Sequence, residues 1–207
     1  MKTVKIVDIL KECVHIDFIG NRNDVVNSVV SLDGKNFLKT NLLWCSDKNL
    51  EKLADINQGT IIVSRSITKH HIKPDCNYII VENPRNSFRE ILTKFFVEEK
   101  AKVKSSNIIV HSSVQLGVNV FLGNNVVIEE NCIIGDNCEI LHNTSILSGS
   151  VLGNFVKIGC NCTIGGTGFG YEKDESGEFK LIPHLGNVFL DDYVEIGNNT
   201  CVDRAVI

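Results

Sequence analysis

No stretch of the 207 residues comes near 18 consecutive uncharged apolar positions, so the sequence offers no membrane-spanning helix. Basic charge is not in excess either: 21 Lys and Arg face 25 Asp and Glu, a net charge of −4. That argues against a nucleic-acid binder that depends on a strong positive field. Met1-Lys2-Thr3-Val4-Lys5 is followed by no apolar run with a small-residue cleavage site, so no secretory leader is expected and the expected location is cytoplasmic. Cysteine is plentiful at eight, but the C-x-x-C spacing is missing and the closest pair, Cys160 and Cys162, is C-x-C. Scattered thiols in a chain of this length point to reduced, buried cysteines rather than a disulfide framework. None of the six histidines stands in an H-x-x-H or H-x-H spacing. No metal site within one chain is expected, although one assembled across subunits stays open. With 43% hydrophobic and 22% charged residues the chain is too apolar for disorder.

What is present is unevenly distributed. Only Gly20, Gly34 and Gly59 of the 16 glycines precede residue 117. Residues 1–104 carry 17 basic and 13 acidic side chains, and residues 105–207 carry 4 and 12. Two differently built regions follow from this. The first, 1–104, is expected to be a small α/β domain that ends in a helix. Ile6, Ile9, Leu10 and Cys13 fall at helical spacing after Thr3, a candidate N-cap. β-rich runs stand at 25–30, 41–45, 60–63 and 78–81. A second helix is expected from Ser46, with Leu50, Leu53 and Ala54 inward. A third carries the stripe Phe88, Ile91, Leu92, Phe95 and Phe96 behind a Ser87-x-x-Glu90 capping pattern. The charged tail 98–104 leads into the next region.

The second region repeats every six residues. Val114, Val120, Val126, Cys132, Cys138, Thr144, Ser150, Val156 and Cys162 are all small or β-branched. Two positions further on stand Leu116, Leu122, Ile128, Ile134, Ile140, Ile146, Leu152, Ile158 and Ile164. Glycine follows at 117, 123, 135, 153, 159 and 165. A helix has an apolar period of 3.6, so this register predicts a parallel β-helix of hexapeptides, each a short strand and a corner. The Leu/Ile position fills the prism, the small position sits beside it, and Gly and Asn are expected at corners that need positive φ. Cys132, Cys138 and Cys162 then act as small core residues.

The register breaks after Gly165 and resumes at Val188/Leu190, which marks 166–187 as an insertion loop. Repeat proteins often place such insertions on a binding face, and a harmless surface hairpin is the plainer reading.

Three stretches carry a family resemblance: Gly165-Gly-Thr-Gly-Phe-Gly-Tyr171, Ile182-Pro-His-Leu-Gly186 and Val194-Glu-Ile-Gly-Asn-Asn-Thr-Cys-Val-Asp-Arg204. Together with Val81-Glu-Asn-Pro84 and the 41–48 joint they resemble the UDP-3-O-acylglucosamine N-acyltransferases of lipid A synthesis, a family of left-handed β-helix acyltransferases. The resemblance implies a homotrimer that moves a 3-hydroxyacyl chain from the phosphopantetheine of acyl carrier protein to the amine of a UDP-linked glucosamine. It implies no bound cofactor and a histidine as general base. It also places that histidine beyond the Asp203-Arg204 motif, whereas the sequence ends at Ile207. A catalytic residue is therefore not expected within these residues. A cut chain is the expectation, and a naturally short protein is the alternative. In the family's nucleotide pocket an aromatic, an amide and a tyrosine hold uracil, and Leu43, Ser46 and Asn49 align with them. Trp44, the only tryptophan, serves instead if the strand slips by one residue, which would flip its face. Core packing for Trp44 and an N-cap role for Ser46 are the plainer readings. Phe169 and Tyr171 in the loop complete the expected substrate contacts. Chemistry within the chain itself would fall first to His184 and then to His142. Two other functions stay open: an acetyl-coenzyme-A-dependent acetyltransferase on a nucleotide-linked aminosugar, and a non-catalytic trimeric sugar-nucleotide-binding scaffold.

Overall fold

The structure is a computed structural model, and it describes residues 2–97, 105 and 107–207. The chain divides into two compact units, Met1–Lys100 and Ala101–Ile207. The charged tail 98–104 lies outside the described residues.

The first unit is built on a five-stranded sheet in the spatial order Asp17–Ile19, Cys76–Ile80, Gly59–Val63, Asn41–Trp44 and Ser28–Val29. The last four strands run parallel, and the edge strand Asp17–Ile19 runs antiparallel to Cys76–Ile80. Every residue of Gly59–Val63 and Cys76–Ile80, two of the three inner strands, is buried, the mark of a parallel sheet covered on both faces. Alternate side chains feed two cores. Leu42, Ile62 and Ile79 pack with α1 (Ile6–Glu12) and with Ile91 of α2 (Pro84–Ile91). Leu43, Ile61, Val63 and Tyr78 pack on the other face with Leu53 and Ile56.

Several boundaries differ from the sequence expectation, each for a local reason. Thr3 does not cap α1, because Val4–Lys5 pair antiparallel with Val25–Val26 and the helix starts only at Ile6. The 25–30 run splits into Val25–Val26 and Ser28–Val29. Asp47–Asp55 is 3₁₀-helical but broken by a kink at Asn49 (φ −122°); after the kink three residues per turn put Leu50, Leu53 and Ile56 on the apolar face, and Ala54 is exposed. The α2 helix begins at Pro84, not at a Ser87 cap. The Asn83 side chain accepts from the Asn86 N–H at 3.1 Å, proline occupies the first turn, and Ser87 is buried inside the helix.

The second unit consists of three parallel sheets that run the length of the repeat. Strands pair at an offset of 18 residues, as in Val127 with Ser145 and Phe121 with Glu139, so three hexads make one coil. Across the insertion the offset becomes 38, as in Val151 with Phe189 and Thr163 with Cys201. The predicted inward residues form one core that runs from Val126 and Ile128 to Val188 and Leu190. Leu116, in the first coil, is the exception at 45% exposed. The small inward positions also donate hydrogen bonds to the coil above. Cys138 Sγ reaches the Gly153 carbonyl at 3.0 Å, Cys162 Sγ the Gly197 carbonyl at 3.0 Å and Thr144 Oγ1 the Gly159 carbonyl at 2.8 Å. Eight free thiols and no disulfide accompany this; six are buried, whereas Cys160 is half-buried and Cys201 exposed.

The corners divide labour in a way the sequence did not separate. Asn119, Asn125, Asn131, Asn137, Asn143, Asn161 and Asn199 hold the left-handed conformation, with φ between 56° and 58°. The repeat glycines 117, 123, 135, 153 and 159 do not. A Cβ on Gly135 would sit 2.5 Å from the Gly153 carbonyl oxygen, and one on Gly123 would sit 2.7 Å from the His142 nitrogen. These five glycines clear space for the next coil, so for them the expectation of positive φ is corrected, whereas Gly165 meets it at φ 87°.

Candidate functional site

In an open parallel sheet, ligands bind beyond the carboxyl ends of the strands. The first unit has a cavity of about 420 Å³ there, past Ser28–Val29 and Asn41–Trp44. Its walls include Ser31, Trp44, Ser46, Asn49, Lys52 and Phe88. The strand alternation that buries Leu42 and Leu43 in opposite cores puts Trp44 at the cavity, half-buried and 6.4 Å from the Phe88 ring. No register slip is required. Leu43 is corrected: fully buried in the core on the opposite face, it cannot meet a ligand without unfolding the sheet.

Ser46 stands at the N-cap of Asp47–Asp55, yet its hydroxyl makes no capping bond. It accepts instead from the Asn49 amide at 3.1 Å, which leaves the Ser46 hydroxyl proton and the Asn49 carbonyl oxygen as a donor and acceptor pair beside the tryptophan. Lys52 Nζ lies 2.6 Å from Asp33, and that hydrogen bond raises the lysine pKa. Behind the strand end, burial pushes the Cys45 thiol up to about 11, with Glu51 and Asp47 adding to it. It is no nucleophile. An aromatic wall, a polar edge and a lysine paired with Asp33 line this cavity. Lys52 and Phe88 were missed by the sequence reading, Phe88 because it falls in the apolar stripe of α2.

In the second unit the insertion folds as a hairpin, with Tyr171–Lys173 antiparallel to Phe179–Leu181. Its turn is tied by Asp174, whose carboxylate accepts from the Ser176 hydroxyl at 2.6 Å. That bond holds the carboxyl below its ordinary pKa. Phe169 is 93% exposed and lies against Tyr171, with ring centroids 4.9 Å apart. The His184 ring packs on Gly168 and Gly170, and its Nδ1 donates to the Ile182 carbonyl at 2.8 Å. Arg204 anchors the root of the loop: Nε donates to the Gly165 carbonyl at 2.8 Å and Nη2 to the Ser148 carbonyl at 3.0 Å.

His142 has a structural post. Its Nδ1 accepts from the Asn124 N–H at 2.7 Å. Asp136, Asn154, Asp192 and Asn198 do the same at equivalent corners for Val118, Asp136, Asn154 and Cys160. His142 therefore serves as a corner acceptor through Nδ1. No group of three or more His, Cys, Asp or Glu side chains is placed to hold a metal among the described residues. Nor is any described helix long and apolar enough to cross a membrane.

The bacterial transferase hexapeptide (six repeats) family matches residues 131–166. The chain is 38% identical over 205 residues to a UDP-3-O-acylglucosamine N-acyltransferase of Campylobacter lari, which covers 92% of this chain and 62% of that protein. To the enzyme of that name from Campylobacter curvus it is 40% identical over 185 residues, 83% of this chain and 57% of the relative. A UDP-3-O-acylglucosamine N-acyltransferase 1 of Francisella tularensis subsp. tularensis is 44% identical over 57 residues, 27% of this chain and 16% of the relative. The chain thus spans less than two thirds of the length of these curated relatives. By its hexapeptide repeat and by identity along most of its length, the chain is similar to the UDP-3-O-acylglucosamine N-acyltransferases.

Proposed function

We propose that this chain is part of an enzyme that moves a 3-hydroxyacyl group from acyl carrier protein to the amine of a UDP-linked 3-O-acylglucosamine, a step of lipid A synthesis. The observation that carries this is the likeness along 92% of the chain to an enzyme of that name. The cavity at Trp44, Ser46 and Asn49 supports it, because it suits the nucleoside end of such a substrate.

The chemistry is acyl transfer. The neutral amine attacks the thioester carbonyl, a C–N bond forms, and the C–S bond of the phosphopantetheine breaks. A general base takes the proton from the attacking nitrogen, typically contributing about 10²- to 10⁴-fold. The family resemblance puts the base on a coil after Arg204, and neither His142 nor His184 is assigned that role. The donor is delivered by a partner protein, so the reaction needs no resident cofactor. The prism is left-handed in this reading and works as a cytoplasmic trimer. The exposed apolar side chains Ile133, Phe155, Phe189 and Tyr193 support an association surface on its outside.

The test is mass spectrometry of the product after the protein is incubated with UDP-3-O-acylglucosamine and a 3-hydroxyacyl-loaded carrier protein. An N-acylated product supports the reading. Turnover only with acetyl-coenzyme A assigns the acetyltransferase alternative instead. Nucleotide binding without transfer by the full-length protein assigns a binding scaffold.

A further inference from the structure

The cavity at Trp44 has a neighbour. A second cleft, about 750 Å³, opens on the α2 side of the same ring. Trp44 and Phe88 line both, so the two spaces meet at this aromatic pair. The far wall of the second cleft includes Asn83, Arg85, Asn86 and Arg89.

The arginines are well placed for an anion. They stand four residues apart on α2 and so share one helix face. Arg89 is pre-oriented: its Nε and Nη2 donate to Asn86 Oδ1 at 3.2 and 3.1 Å, and Nη2 also lies 3.4 Å from Glu90. Arg85 has no hydrogen-bonded or ionic side-chain partner among the described residues. Two guanidinium groups against one carboxylate leave a net positive charge at the mouth of an aromatic-walled cleft. Planar guanidinium forks match phosphate oxygens two at a time. On the other side of Trp44 the cation is already engaged, because Lys52 pairs with Asp33 at 2.6 Å.

We propose that Arg85 and Arg89 hold the phosphates of the nucleotide whose base lies against Trp44 in the first cavity, which makes the two clefts one split nucleotide site. This rests on the nucleoside reading of the first cavity. Periodicity alone does not reveal it, since both arginines lie on the polar side of the α2 stripe.

The experiment is calorimetric titration of the protein with uridine, UMP and UDP at fixed ionic strength. The variants are Arg85→Gln, Arg89→Gln and Lys52→Gln, with Lys11→Gln as a charge-removal control outside both cavities. The expected result is that UDP binds at least about tenfold more tightly than uridine. Each arginine substitution weakens UDP by about tenfold and leaves uridine unchanged. Thermal midpoints check that the arginine variants remain folded; both side chains are exposed. Equal affinity for uridine and UDP overturns the inference while the nucleoside reading stands. So does a loss of UDP affinity that is larger in Lys52→Gln than in the arginine variants. If the unmodified protein binds neither uridine nor UDP, the nucleoside reading itself falls, and the phosphate assignment falls with it.

Discussion

Left-handed backbone costs an ordinary side chain roughly 1–2 kcal/mol, and the repeat meets that cost with asparagine at seven corners. At two corners it does not: Phe155 and Tyr193 hold φ of 58° and 61°. Their rings stack with centroids 4.9 Å apart and planes within 1°, and a stacked pair of this kind contributes about 0.5–1.5 kcal/mol toward the strain. The stack takes the place that paired asparagines hold elsewhere, as in Asn125 with Asn143 at 3.0 Å. His142 makes the same point about substitution by role. It accepts a backbone N–H as asparagine does at neighbouring corners, so His142→Asn should leave the melting temperature unchanged. His142→Leu orphans the Asn124 N–H and should cost about 1 kcal/mol in denaturant titrations.

Among the elements, the hexad works only because a coil can settle on the one below it. Gly135→Ala puts a methyl group 2.5 Å from the Gly153 carbonyl and should destabilise the prism by about 1–3 kcal/mol. Measured by chemical denaturation followed with circular dichroism, no loss would remove the clearance role assigned to the repeat glycines. In the first unit, the sheet holds titratable groups out of water. Burial pushes Cys45 up to about 11 from 9.0, and Tyr78 up to about 12 from 10.0. Both pKa values are raised in the folded state, so this stability is complete below about pH 9 and is lost as pH rises to about 12. Keeping each group protonated over that range is worth roughly 3 kcal/mol. The urea midpoint of the first unit, followed by Trp44 fluorescence, should therefore fall between about pH 9 and 12. An unchanged midpoint would contradict the burial of both groups.

Across the whole molecule, each unit carries its own interior: the prism has one core and the α/β unit has two. An unpaired charge in the prism should therefore unfold the prism alone. Ile134, 2% exposed, is the test position. Ile134→Asp should cost about 3–5 kcal/mol and abolish hydrogen-exchange protection along 109–203. Trp44 fluorescence should stay native. Retained protection in the prism would show that Ile134 does not point inward.

The interior of the prism follows from residue order alone. A six-residue period with Leu or Ile at one position can be satisfied only by strands that return to the same face every coil, so the sequence alone marks Ile128, Ile140 and Ile158 as core. The insertion was legible too, because it broke that period. Other features wait on the folded chain, because periodicity does not encode them. Why a glycine is needed depends on which backbone lies above it, and residue 135 meets residue 153 only once the coils stack. Which of Leu43 and Trp44 faces a ligand depended on which core claimed Leu42 first, because neighbours on a strand take opposite faces. Arg85 and Arg89 became a candidate anion site only when the packing of α2 brought them beside a tryptophan some forty residues earlier in the chain. Local patterning sets what must be buried, and long-range packing settles what is left facing a cavity.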